Sequence, residues 1–181
     1  MRRGRALAVS ATLVLSAAAT AAAHAASGTT TATFTVISGA LAITVPPSTV
    51  NLGSGVPGST ITAQFGIVQI TDARGLLAAS WTGSVASTSF VTGGGTVPET
   101  IPAAAVSYWS GQATTTTGSG TFTPGQANAA AAVSLASTHT AFTLTAGAGG
   151  NAAAWNPTFV VSLPAAAVAG TYTGTVTHSV A

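Results

Sequence analysis

Residues 171–180 alternate without a break. Tyr172, Gly174, Val176, His178 and Val180 fall on one parity, and Thr171, Thr173, Thr175, Thr177 and Ser179 on the other. Successive side chains of an extended strand point to opposite faces. The pattern therefore suits a strand with one face packed and one lined with hydroxyls, not an amphipathic helix. Shorter stretches repeat it: Phe142 and Leu144 share a parity within 140–145, as do Phe159, Val161 and Leu163 within 157–163. Further strands are expected over 31–37, 41–45, 65–71, 80–85 and 105–109. Threonine, abundant throughout, is β-branched and favours strands. Glycine and proline clusters punctuate the pattern at Pro46-Pro47-Ser48, 53–58, Gly93-Gly94-Gly95, Gly118-Ser119-Gly120 and 147–151. Many short strands without a helical pattern between them predict an all-β chain, an antiparallel Ig-like β-sandwich. Alanine is the strongest helix former, so the run at 127–132 leaves room for one short helix. Pro102-Ala103-Ala104-Ala105-Val106 recurs as Pro164-Ala165-Ala166-Ala167-Val168. Both read as turn-and-strand entries in which proline opens a helical turn.

Charge is nearly absent: 3% of the 181 residues are charged, and there is no cysteine. Arg2, Arg3 and Arg5 form a basic start, followed by an uncharged stretch over 6–23 and by Ala23-His24-Ala25, small residues where a signal peptidase reads. A signal peptide over 1–25 and one exported domain over 26–181 are expected. The 6–23 stretch is alanine-rich and broken by Ser10, Thr12, Ser16 and Thr20, whereas a membrane span needs roughly 20 strongly apolar residues. Ser179-Val180-Ala181 carries no sorting motif, so attachment at a surface is expected to be non-covalent.

Beyond the leader, Arg74 stands against Asp72 and Glu99, with no lysine. Nucleic-acid binding needs several basic side chains to neutralise phosphates, and binding to an anionic membrane needs the same; neither is expected. Without cysteine there is no disulfide, thiolate metal site or cysteine nucleophile. Asp72 and Glu99 are the available carboxylate pair for glycoside hydrolysis. The plainer reading makes Asp72-Ala73-Arg74-Gly75 a strand-end turn with a local ion pair and puts Glu99 in a proline-flanked loop. No Gly-x-Ser-x-Gly elbow is present, and His139 and His178 with two carboxylates make a poor metal set. The chain is expected to be no enzyme and to need no metal or cofactor. Trp81, Trp109 and Trp155 remain as faces that could stack on sugar rings, though each also suits a core. Trp109 is expected to be the most exposed, because Tyr108 beside it points to the opposite face.

Thr71-Asp72-Ala73-Arg74-Gly75 followed by Ala79-Ser80-Trp81-Thr82-Gly83-Ser84-Val85 resembles the first signature of the WxL domain, a cell-wall-binding module of secreted Gram-positive bacterial proteins. Tyr172-Thr173-Gly174-Thr175-Val176-Thr177-His178-Ser179-Val180 is similar to its second signature, and Val45-Pro46…Leu52-Gly53 to its opening. Two positions depart: Gly83 stands where the first signature has leucine, and His178 where the second has tryptophan. That suits a divergent, actinobacterial-type member. The resemblance implies a secreted, non-catalytic surface protein held non-covalently to peptidoglycan or another cell-wall polymer. The ligand-binding candidates are Trp81, Trp109, Asp72, Arg74, Tyr172 and His178, with Asp72 and Arg74 fixing the turn beside Trp81. If the second-signature position is a core site, His178 is a smaller buried aromatic needing a hydrogen-bond partner. The alternative is a self-associating subunit of a surface layer or fibre, partnered by itself or by other surface proteins. A surface near zero charge gives little colloidal repulsion, and strand edges invite pairing.

Overall fold

A computed structural model describes residues 27–47 and 49–181. The expected leader over 1–25 lies outside the described residues. The chain divides into two units, Met1–Thr35 and Val36–Ala181. The described part of the first, 27–35, is exposed and has no regular secondary structure. Among the described residues, every strand lies in the second.

It is all-β and sandwich-like, as the alternation predicts. Two antiparallel sheets carry the core. The larger is built on β3 (Val68–Ser87) and β10 (His139–Trp155), which pair from Val68↔Trp155 to Val85↔His139. One edge of β3 is shared end to end by β1 (Leu41–Thr44) and β12 (Val176–Val180). The outer edge of β10 is shared likewise by β7 (Ala113–Thr117) and β8 (Thr121–Pro124), separated by Gly118-Ser119-Gly120. The smaller sheet runs β2 (Thr60–Gln64), β11 (Thr158–Ser162), β6 (Val106–Trp109), β9 (Val133–Ser134). A two-residue pair, β4 (Phe90–Val91) with β5 (Thr100–Ile101), flanks them.

The inward parities meet between the sheets. Val68, Ile70, Val85, Phe142 and Trp155 come from the larger sheet, and Val106, Tyr108, Phe159 and Val161 from the smaller; all are buried. Phe142 stacks on Trp155 at 5.0 Å and 22°, while Tyr108 meets Phe159 edge-on at 5.3 Å. Such offset and T-shaped contacts suit the aromatic quadrupole.

The structure corrects several local expectations. Asp72-Ala73-Arg74-Gly75 and 147–151 do not end strands. They sit opposite one another inside β3 and β10 as bulges, the register passing from Asp72↔Asn151 to Leu76↔Gly149. Gly75 at φ +69° and Gly149 at φ +68° take the left-handed conformation that the extra residues require. The same φ preference serves a turn or a bulge, and only the partner strand distinguishes them. The strand expected over 31–37 does not form, β3 starts at Val68 rather than 65, and the last strand is confined to Val176–Val180. The alanine run yields one 3-10 turn, Ala129–Ala131, whose first amides are met by Asn128 Oδ1 accepting from the Ala130 N–H at 3.0 Å. Both proline repeats do open turns, over Ala103–Ala105 and through the Ala167 N–H to the Pro164 carbonyl, but only the first leads into a strand, β6; the second is not followed by one until Val176.

Candidate functional site

Asp72, Arg74 and Trp81 come together through β10. The Arg74 guanidinium donates to both Asp72 oxygens at 2.9 Å, the Arg74 backbone N–H to Asp72 Oδ1 at 3.0 Å, and Nη2 also to the Ser80 carbonyl at 2.8 Å. The Asp72 side chain is buried, while that of its partner Arg74 is 28% exposed. Hydrogen bonding from Arg74, above all, holds Asp72 below the ordinary carboxylate range. Trp81 donates its indole N–H to Asn151 Oδ1 at 2.8 Å, and Asn151 faces Asp72 in the register. The four side chains thus clamp the bulge. Trp81 is 2% exposed and lies near Phe122: its ring belongs to the core and offers no face to a ligand. Asn151 was hidden in sequence by the glycines around it, which read as a loop.

The other candidates are dispersed. Tyr108 is buried and Trp109 half-buried on the opposite face of β6, the orientation expected of neighbours. The Tyr172 hydroxyl lies between the carbonyls of Pro98 at 3.0 Å and Val168 at 2.9 Å, its one proton serving either, and ties down the approach to β12. His178 faces inward, 8% exposed, beside Phe65 and Tyr108 at ring distances of 5.7 and 6.0 Å. The hydrogen-bond partner expected of it is missing, for neither ring nitrogen has one. Burial accordingly pushes its pKa down to about 4. Glu99 closes a capping box, accepting from the Thr96 N–H at 2.9 Å and hydroxyl at 2.7 Å. Each carboxylate is therefore committed to a local bond set. Among the described residues no three His, Asp or Glu side chains group as metal ligands.

The surroundings of Gly83 leave little room for a side chain. A Cβ there would lie 2.8 Å from Ile70 Cδ1 and 3.6 Å from Trp155 Cη2: neighbouring side chains already fill the space. Gly83→Leu is expected to cost at least the roughly 1–3 kcal/mol of an overpacked core, read as a lower urea midpoint, with Ile70→Ala in the same chain recovering part of it.

Two surfaces stand out. The outer face of the larger sheet is a band of hydroxyls crossing four strands. Ser179 meets Ser84 across β12 and β3, Oγ to Oγ at 2.8 Å. Thr82 is paired with Thr143, and Thr143 with Thr123, while Thr145 pairs with Thr121. No charged side chain interrupts these rows. Both segments that carry the resemblance contribute, as the directly paired β3 and β12. The loop over 49–57 and the segment over 167–176 enclose a cleft of about 920 Å³. Ile61, Phe65, Val161 and Leu163 are among its apolar lining, and no charged residue lines it.

No protein-family model, curated protein or solved structure matches the chain.

Proposed function

We propose that the chain is a secreted, non-catalytic surface protein that adheres non-covalently to the bacterial cell wall, with peptidoglycan as the polymer and the hydroxyl face of the larger sheet as the contact. The observation that carries this reading is the uncharged hydroxyl band across β12, β3, β10 and β8. A hydroxyl both donates and accepts, so a regular array of them suits a polymer rich in hydroxyl and amide groups. Individually weak contacts repeated along a strand of glycan add up by multivalency. A non-covalent wall module of the WxL type is supported by the same place, since both signature-like segments lie there side by side. The tryptophan of the first segment then acts as a core anchor beneath the face.

Co-sedimentation with purified peptidoglycan tests this. The protein freed of its leader is expected in the pellet, and raising salt to about 0.5 M should change little, because there is almost no charge to screen. The triple variant Thr82→Val, Thr123→Val, Thr143→Val keeps β-branched side chains of the same shape and removes the hydroxyls. It is expected to fold like the parent and stay in the supernatant. Parent protein left wholly in the supernatant would overturn wall adherence; a variant that pellets equally would move the contact off this face.

A further inference from the structure

Residues 31–37, Thr-Ala-Thr-Phe-Thr-Val-Ile, have the alternation of a strand and form none. Phe34 is 90% exposed, Val36 81% and Ile37 86%. A threonine-rich, β-branched segment with apolar side chains in water is what pairing to a sheet edge would complete. The fold also holds a complement. The 920 Å³ cleft is at the upper end of small-molecule pockets, about 300–1,000 Å³. Two edge strands contribute to its walls, β2 through Ile61 and β12 through Val176. Among the described residues β2 pairs only with β11 and β12 only with β3, so each keeps a free edge. Segment and cleft are both uncharged, and no buried ion would oppose their union.

The chain's own course favours a second copy as the source. β1 ends at Thr44 and Val45 enters the cleft wall, whereas Val36 and Ile37 precede β1 at its far end. There the Gly39 N–H donates to the Ala73 carbonyl and the Ala73 N–H to the Ala40 carbonyl, both at 2.9 Å. Insertion into its own cleft would reverse the chain against these bonds; insertion into another copy leaves them intact. We propose that residues 31–37 of one copy enter the cleft of the next as an added strand, with Ala32, Phe34 and Val36 turned inward and Thr31, Thr33 and Thr35 outward. Each copy then has one donor and one acceptor. Such a head-to-tail contact closes into a ring or grows into a filament. The proposal is independent of wall adherence, which uses another face.

Sedimentation velocity over a range of concentrations is expected to show association of the leader-free protein. The double variant Phe34→Asp, Val36→Asp should be monomeric, and so should Val56→Asp, a substitution in the cleft wall at a side chain 70% exposed. Because the chain lacks cysteine, an oxidised mixture of Ala32→Cys and Ala169→Cys chains should give a covalent heterodimer, Ala169 being in the cleft wall. A parent that is monomeric throughout overturns the proposal, as does association that survives Phe34→Asp, Val36→Asp. Association abolished by that pair but untouched by Val56→Asp, without the mixed crosslink, overturns the cleft as acceptor. A monomer that carries an apolar small molecule through purification assigns the cleft to that ligand instead.

Discussion

Trp155→Ala should remove about 3–5 kcal/mol of stability, the usual range for deleting a buried large aromatic side chain. Small domains have roughly 5–15 kcal/mol in total, so the variant should be strongly destabilised in urea or unfolded at room temperature. Three features place the effect at the top of the range. Trp155 is fully buried, its ring stacks on Phe142, and it covers the space beside Gly83. Its indole N–H also reaches the Tyr108 hydroxyl, at a long 3.3 Å. This contact joins the two sheets, because Tyr108 lies on β6. Trp155→Phe keeps an aromatic ring and should cost less, leaving a smaller void and a buried hydroxyl without its donor. A Trp155→Ala midpoint close to that of the parent would mean that β10 does not pair in this register.

Acidification should weaken the fold through His178. Its folded-state pKa is about 4, against 6.5 for the free side chain. The unfolded chain therefore takes up the proton first as pH falls, and stability present above about pH 6.5 declines down to about pH 4. At about 1.4 kcal/mol per pKa unit the full loss is roughly 3 kcal/mol. The carboxylates act in a different window. Asp72, held down chiefly by Arg74, and Glu99, held down chiefly by Thr96, contribute stability that fades only below the ordinary carboxylate range. His178→Phe keeps a ring against Phe65 and Tyr108 and removes both the titration and the unpartnered nitrogens. Its unfolding free energy should be nearly flat from pH 7 to about 4.5 and no lower than the parent's at pH 7. Parallel profiles for parent and variant would show that the imidazole is not buried uncharged.

Much of the fold is legible in individual residues. The parities of Phe142 with Leu144 and of Phe159 with Val161 name side chains that are buried, and Tyr108 and Trp109 do face opposite ways. Asp72 and Arg74 form their expected ion pair, and both proline repeats open turns. These are matters of backbone sterics and near neighbours, written into the order of residues. The candidate site is legible only in part. Trp81 reads as platform or as core, and its bond to Asn151, far along the chain, together with its burial, makes it core. Residues 31–37 read as well as any true strand, yet a strand exists only where another edge accepts its hydrogen bonds. Glycines at 75 and 149 advertise a left-handed backbone without saying whether the chain reverses or bulges. The hydroxyl band and the cleft arise from strands distant in sequence, aligned by register. Local chemistry thus chose β-structure, its inward parity and its turns; long-range pairing chose which edges close, which rings are covered and which surface faces outward.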